Sequence, residues 1–147
     1  MTDRRKLGLG TVQFGLAYGV ANSGGQVGPS QVEQILALLL SFAERNRGMT
    51  RVLTGDALVN ENERLQVRIN LVHDKIEAAL RQALRVAATR QQVAIGTDFG
   101  ALANILLCYV VGRWQQYAKS GFTRQPTAHW AEQWPMLCAA CLSVRTD

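Results

Sequence analysis

The sequence predicts an all-α domain that follows a short irregular or single-strand segment, and three observations favour that fold class. Apolar residues recur every three or four positions over most of the chain after Pro29. Residues 7–28, in contrast, hold seven of the thirteen glycines together with β-forming residues. The length of 147 residues suits one ordinary domain. We therefore expect a glycine-rich segment, 1–28, and one helical domain, 29–147.

The glycine-rich segment does not match a phosphate-binding loop. Its stretch GLGTVQFG, residues 8–15, has Gln13 where the pattern G-x-G-x-x-G requires the third glycine. An amphipathic helix that could point its N-terminus at an anion does not follow directly. We expect a short strand and loop in these residues, without a cofactor.

The first helix is predicted from Pro29 or Ser30 to Gly48. Ser30 and Glu33 have the spacing of a capping box. The residues between the two ends leave almost no polar face, and such a helix is either central in its protein or covered by a partner.

Four further elements complete the predicted domain. A short helix or turn, interrupted by Gly55, occupies 49–58. A long helix is predicted from about Asn60 to Arg90. Its apolar residues follow one another in steps of four, three, four, four and four and form one stripe: Leu65, Ile69, Val72, Ile76, Leu80 and Leu84. Thr97 or Asp98 caps a helix over 98–119, and the last helix spans about 127–143, with Pro135 inside it.

The last two helices predict a homodimer. The helix over 98–119 has two apolar stripes, one at Leu102, Leu106 and Tyr109, and therefore needs two neighbours. The alternative is a monomeric bundle in which both stripes are internal. The residues expected at the dimer interface are Leu107, Val110, Val111, Trp114, Tyr117, Trp130, Trp134, Leu137 and Cys141.

Composition limits the class of protein. The net charge of +5 is compatible with a nucleic acid partner but equally with an ordinary basic protein. Three cysteines, an odd number, favour a reducing compartment and hence the cytoplasm. The longest apolar runs, 35–40 and 102–111, are shorter than the roughly 20 residues that span a bilayer, so we expect no membrane partner and no signal peptide.

Candidate reactive residues do not combine into a catalytic or metal site. Cys138 and Cys141 have redox or zinc spacing, but both lie in an apolar helix and are better explained as core thiols. His73 and His129 belong to different segments, and neither Ser30 nor Ser41 has a histidine base nearby in the sequence. The acids Asp74 and Glu77 look like separate surface residues. We expect a protein that is not an enzyme and binds no metal or cofactor.

Three sequence blocks resemble one family. They are ERNRGMTRVLTGDAL, ERLQVRIN and RQPTAHWAEQWP, which begin at Glu44, Glu63 and Arg124. They are similar to the C-terminal regulatory domain of TetR-like nucleoid occlusion factors of the SlmA type, over residues 35–145. The resemblance implies an all-α dimer whose last two helices form a four-helix bundle with a second subunit. It also implies a cell division inhibitor that blocks assembly of the tubulin-like protein FtsZ over the chromosome.

The resemblance also implies a partner-binding site. The family's division-protein surface runs along the helix that ends in E-R-N, which corresponds here to Leu38, Arg45 and Asn46. Arg45 could pair with an acidic tail, and Leu38 would be an apolar anchor. The alternative is that Leu38 belongs to the core, Arg45 is a helix-end charge and Asn46 is part of a C-cap. The family's helix-turn-helix is not recognisable ahead of residue 35, so we expect DNA contact, and location at the nucleoid, only through a full-length partner subunit.

The stretch from residue 7 to about 35 resembles the first strand and loop of an aldo/keto reductase, which suggests a fusion. That family is a TIM barrel that binds NADPH and uses a catalytic tyrosine with lysine, aspartate and histidine partners. Tyr18 does not fall in that motif, and one strand cannot form an eight-stranded barrel. A non-functional reductase fragment is the alternative function, and barrel strands after residue 29 would favour it.

Overall fold

The computed structural model describes residues 30–55, 62–90 and 96–141, and within them it contains five helices and no strand. The helices are α1 (Gln31–Arg45), α2 (Arg47–Leu53), α3 (Glu63–Thr89), α4 (Phe99–Lys119) and α5 (Trp130–Cys141). The all-α prediction is therefore confirmed. The expectations for residues 1–28 lie outside the described residues.

Helix α1 lies at the centre of the bundle. Val32, Leu36 and Leu40 are fully buried, and Ile35, Leu39 and Ala43 are nearly so, which gives α1 one broad buried face. It packs against both α3 and α4, and most of the remaining residues of α1 are half-buried. The long apolar run in the sequence is thus explained by burial within the chain, which is one of the two outcomes that its pattern predicts.

Side-chain caps fix where three of the helices begin. The Ser30 hydroxyl accepts a hydrogen bond from the Glu33 amide at 3.2 Å, as the sequence predicts. Asn62 caps α3 through Leu65, and Asp98 caps α4 through the amides of Gly100 and Ala101. Of the two residues predicted to cap α4, the structure selects Asp98.

The boundary between α1 and α2 differs from the prediction. Gly48 was expected to end the first helix, but α1 ends at Arg45 and Gly48 lies inside α2. The chain turns at Asn46, and the buried hydroxyl of Thr50 donates to the carbonyls of Ala43 and Asn46. Both carbonyls also accept backbone amides, that of Ala43 from Asn46 and that of Asn46 from Thr50, so the Thr50 hydroxyl adds a side-chain contact that holds the turn.

The predicted stripe of α3 faces the core. Ile69, Leu80 and Leu84 are buried, and Leu65, Val72 and Ile76 are partly buried against the same cluster. The most extensive packing in the molecule is between α3 and α4. The steps of three and four in the sequence therefore located this face correctly.

Both apolar stripes of α4 are covered within the chain. Besides α3, the neighbours of α4 are α1 and α2. Four residues expected at the dimer interface are accordingly in the core of the single chain and offer little surface to a second copy: Leu107, Val110, Trp114 and Tyr117. The burial of these four results from the packing of α4 against other helices of the same chain, and their place in a dimer interface stays a prediction.

Helix α5 packs on the bundle less completely. It starts at Trp130, three residues later than predicted. The Tyr109 hydroxyl donates to Gln133 at 2.6 Å, and the rings of Trp130 and Trp134 stack with centroids 5.6 Å apart. Val111, Trp130, Trp134 and Leu137 are half-buried, so they retain surface for a partner, whereas the side chain of Cys141 is outside the described part. None of the described helices is both long and apolar enough to cross a membrane.

Candidate protein-interaction site

Leu38 and Arg45 share one face of α1. They are seven residues apart, which is two helical turns, so their side chains lie on one stripe about 10 Å apart along the axis. Leu38 is half-buried, and the buried core includes its neighbours Leu36 and Leu39 but not Leu38. The stripe therefore presents a partly exposed apolar side chain at one position and an exposed arginine at the other.

Asn46 has the structural role that the alternative interpretation assigned to it. Its backbone amide donates to the Ala43 carbonyl, and its side-chain Nδ2 donates to the Phe42 carbonyl at 2.8 Å. The residue thus closes the end of α1 while remaining exposed. Its side-chain oxygen has no hydrogen bond within the described residues and is available to a partner.

The backbone next to Arg45 is held by groups from α4 and from residues 120–129, which we call the α4–α5 connection. The Glu44 carboxylate accepts hydrogen bonds from the amide and the hydroxyl of Thr127. The Tyr117 hydroxyl donates to the Glu44 carbonyl at 3.1 Å. These contacts fix the last turn of α1, and the Arg45 side chain is consequently presented from a rigid corner.

One more basic residue stands at this corner. The guanidinium of Arg47 lies over the ring of Phe122, 5.5 Å from its centroid. Phe122 has a left-handed backbone, with φ of 67°, and follows Gly121, with φ of 66°. The end of α1, the start of α2 and the connection therefore meet in one cationic corner.

Helices α4 and α5 each expose a large apolar side chain. Ile105 on α4 is 53% exposed, and Met136 on α5 is 68% exposed. Cys108 is also exposed, one turn after Ile105. Two members of the predicted dimer set, Val111 and Leu137, are half-buried and retain accessible surface.

The two histidines lie in different environments. His73 is half-buried on α3 with its ring centroid 6.5 Å from that of Trp114, and its Nε2 has no hydrogen-bond partner. Burial lowers the pKa of His73, and the charge of Asp74 partly opposes this effect. His129 is exposed in the connection. Within the described residues, no group of three or more His, Cys, Asp or Glu side chains could hold a metal ion.

Glu33 and Cys138 interact between α1 and α5. Burial raises the pKa of Glu33, and a hydrogen bond from Trp134 partly opposes the change. Burial also raises the pKa of the Cys138 thiol, and the Glu33 charge adds to the increase. The Cys138 thiol therefore loses its proton less readily than an ordinary cysteine, which disfavours the redox interpretation of its spacing with Cys141.

No sequence pattern predicts several of the residues that build the site. Thr127 lies 83 positions from Glu44, and no local pattern connects them. No local pattern indicates the role of Arg113 either. Its guanidinium donates to the carbonyls of Gln125, Pro126 and Ala128 and so holds the connection in shape. The quoted block that begins at Arg124 marks this region without revealing what it contacts.

Comparison with known proteins identifies similar chains. A family model described as a tetracyclin repressor-like, C-terminal domain of the SlmA-like class matches residues 29–141. The nucleoid occlusion factor SlmA of Idiomarina loihiensis is 45% identical over 108 residues, which is 74% of this chain and 55% of that protein. The protein of the same name from Shewanella frigidimarina is 44% identical over 108 residues, with the same coverage of both chains. That from Shewanella halifaxensis is 48% identical over 105 residues, 71% of this chain and 53% of the relative. The chain thus spans about half the length of the curated relatives it matches.

Proposed function

The chain belongs to the SlmA-like family of tetracyclin repressor-like C-terminal domains, and on that premise we propose that it is a dimerisation and protein-interaction domain of a cell division inhibitor that acts in nucleoid occlusion. The observation that carries the proposal is the similarity over 108 residues to proteins named nucleoid occlusion factor SlmA. The function is binding and not catalysis. We propose that the domain is cytoplasmic and that it is at the nucleoid when the domain pairs with a full-length factor.

The proposed partner is an FtsZ-like division protein, bound through an acidic tail. Arg45 is exposed and its guanidinium makes no hydrogen bond or ion pair within the described residues, so its donors are available to a carboxylate. Leu38, two turns earlier on the same stripe, supplies an apolar contact. Asn46 adds a side-chain oxygen that can accept a hydrogen bond from a peptide amide.

The proposed assembly is a homodimer through the outer faces of α4 and α5. The support is the exposure of Ile105 on α4 together with the half-buried rings of Trp130 and Trp134 on α5. The interface is assigned to residues that keep accessible surface in the single chain, which are Ile105, Cys108, Val111, Trp130, Trp134 and Leu137. Cys141 remains a proposed member at the end of α5.

The partner proposal is tested by fluorescence anisotropy with a labelled peptide of the division protein's acidic C-terminal tail. Arg45→Ala should weaken binding about tenfold, because one charge-assisted hydrogen-bonding group is lost. Arg85→Ala, which removes an equally exposed arginine from α3, is the matched control and should leave binding unchanged. Equal affinity of the Arg45→Ala variant and the unaltered protein would contradict the assignment.

Contact with DNA through a full-length partner subunit is proposed only together with the homodimer. A DNA-shift assay after co-expression with a full-length factor tests this proposal, and weaker operator binding is expected.

The reductase-like stretch lies mainly outside the described residues, as does Tyr18. Its described end is helical, and the described ranges contain no barrel strand after residue 29.

A further inference from the structure

A polar groove lies where α4 ends and α5 begins. Its volume is about 480 Å³, and it is open to solvent on one side. The lining residues are Arg113, Gln116, Thr123, Arg124, Gln125, Ala128 and His129. All belong to α4 or to the α4–α5 connection, so the groove is built by one continuous stretch of chain.

The charged side chains that line the groove are of one sign. Two of the lining residues are arginines, and none is a carboxylate. The side chains of Arg124 and His129 are exposed and make no hydrogen bond or ion pair with the described residues. Glu132 is not among the lining residues, and the Glu44 carboxylate is bonded to Thr127, which precedes the lining residue Ala128. An anion in the groove would meet two guanidinium groups.

Arg113 makes the wall of the groove rigid. Its guanidinium donates to three backbone carbonyls of the connection, at 2.7–3.2 Å, and to the side chain of Gln116 at 3.1 Å. These four bonds leave one of its five N–H donors for a ligand. His129, which follows Ala128, has a left-handed backbone with φ of 65°, and its carbonyl accepts hydrogen bonds from the amides of Glu132 and Gln133.

We propose that this groove binds an acidic peptide segment through its side-chain carboxylates. Arg124, His129 and the free donor of Arg113 are separate donors, which suits carboxylates spaced along a chain better than a single compact anion. The side-chain amides of Gln116 and Gln125 offer paired donors and acceptors to the backbone of an extended peptide. The site is distinct from the stripe of Leu38 and Arg45, and its assignment does not depend on the identity of the division protein.

The test is anisotropy of a fluorescein-labelled poly-aspartate peptide with the full chain at low and moderate salt. Arg124→Gln should weaken binding about tenfold, which corresponds to the loss of one charge-assisted contact. Arg85→Gln changes the net charge equally but lies on α3, and it should bind like the unaltered protein. His129→Gln should weaken binding less than Arg124→Gln. Each of these positions is exposed, and circular dichroism verifies that the variants fold.

Five results would overturn the proposal. The first is unchanged binding of Arg124→Gln, and the second is an equal loss in Arg85→Gln, which would indicate non-specific charge attraction. The third is a poly-asparagine peptide that binds as well as poly-aspartate, and the fourth is Arg124-dependent binding of duplex DNA or inorganic phosphate without binding of the peptide. Arg45→Ala separates the two sites: binding of poly-aspartate that depends on Arg45 and not on Arg124 would assign the peptide to the end of α1 and reject the groove. Failure of the tail peptide in the earlier experiment leaves this outcome unaffected.

Discussion

The Glu44 carboxylate accepts two hydrogen bonds from Thr127, one from the backbone amide at 2.8 Å and one from the side-chain hydroxyl. The two residues are 83 positions apart, so this contact ties the end of α1 to the connection that precedes α5. It therefore joins the proposed partner site beside Arg45 to the helix proposed to form the dimer. Holding the partner site in place therefore restricts the movement of the chain that leads into α5.

Replacing Thr127 by valine tests this tie. Thr127→Val keeps the shape of the side chain and removes the hydroxyl donor. The free energy of unfolding should fall by about 1 kcal/mol, which is less than the roughly 1.5–3 kcal/mol of a bond to a charged group because the site is only partly buried. Urea denaturation measures it. Thr127→Ser, which retains the hydroxyl, should lose less, and Thr123→Val removes an exposed bond to Ser120 and should be nearly neutral. Equal stability of Thr127→Val and Thr123→Val would show that the contact contributes nothing.

His73 should make the stability of the fold depend on pH. Because burial lowers its pKa in the folded state, the unfolded chain binds the proton more readily once the pH falls below about 6.5, the ordinary value. The free energy of unfolding should therefore decrease from neutral pH towards pH 5 and stop decreasing below the folded-state pKa. Chemical denaturation at a series of pH values measures this change.

The contribution of His73 can be isolated because the chain has only two histidines. Glu33 acts in the opposite direction, since its raised pKa makes the folded state bind more protons above about pH 4.5. The informative quantity is thus the difference between the unaltered protein and His73→Leu, which should lack the loss between pH 7 and pH 5. His129→Leu, at an exposed position, is the control. A pH dependence that survives in His73→Leu would exclude the buried imidazole as its cause.

The fold was largely predictable from local patterns, whereas the site was predictable only in part. Ser30 and Asp98 cap helices as expected because a cap is a contact between near neighbours. The end of α1 is predicted at Gly48, but the chain turns at Asn46, where the Thr50 hydroxyl contacts the Ala43 carbonyl from seven residues away. Trp114 was assigned to a second subunit because a sequence shows that a helix face is apolar but not which neighbour covers it.

Cysteine reactivity tests the proposed dimer surface. Cys108 is exposed on the single chain, one turn after Ile105, while Cys138 is half-buried with a raised pKa. A monomer should therefore be alkylated at Cys108 well before Cys138. In a homodimer through α4 and α5, Cys108 should instead be protected, and its modification should accelerate several-fold when the protein is diluted below the dissociation constant. Peptide mapping by mass spectrometry measures both sites.

A matched variant makes the thiol experiment decisive. Ile105→Lys places a charge on the exposed face of α4 and should both expose Cys108 and shift light scattering to the mass of a monomer. Lys75→Glu, on the exposed face of α3, should do neither. Rapid alkylation of Cys108 at every concentration in the unaltered protein would argue against this interface.

Trp114 should stabilise the single chain and not the dimer. Its indole N–H donates to the Leu39 carbonyl at 3.0 Å, and the side chain is only 1% exposed. Trp114→Phe removes that bond and leaves a cavity between α1 and α4, so unfolding should become easier by about 2 kcal/mol. Trp130→Phe removes a half-buried ring on α5 and should mainly weaken dimerisation. Sedimentation at several concentrations measures dimerisation, and urea denaturation measures the free energy of unfolding. If Trp114→Phe were monomeric but as stable as the unaltered protein, Trp114 would belong to the dimer interface, because truncating a core residue lowers the free energy of unfolding.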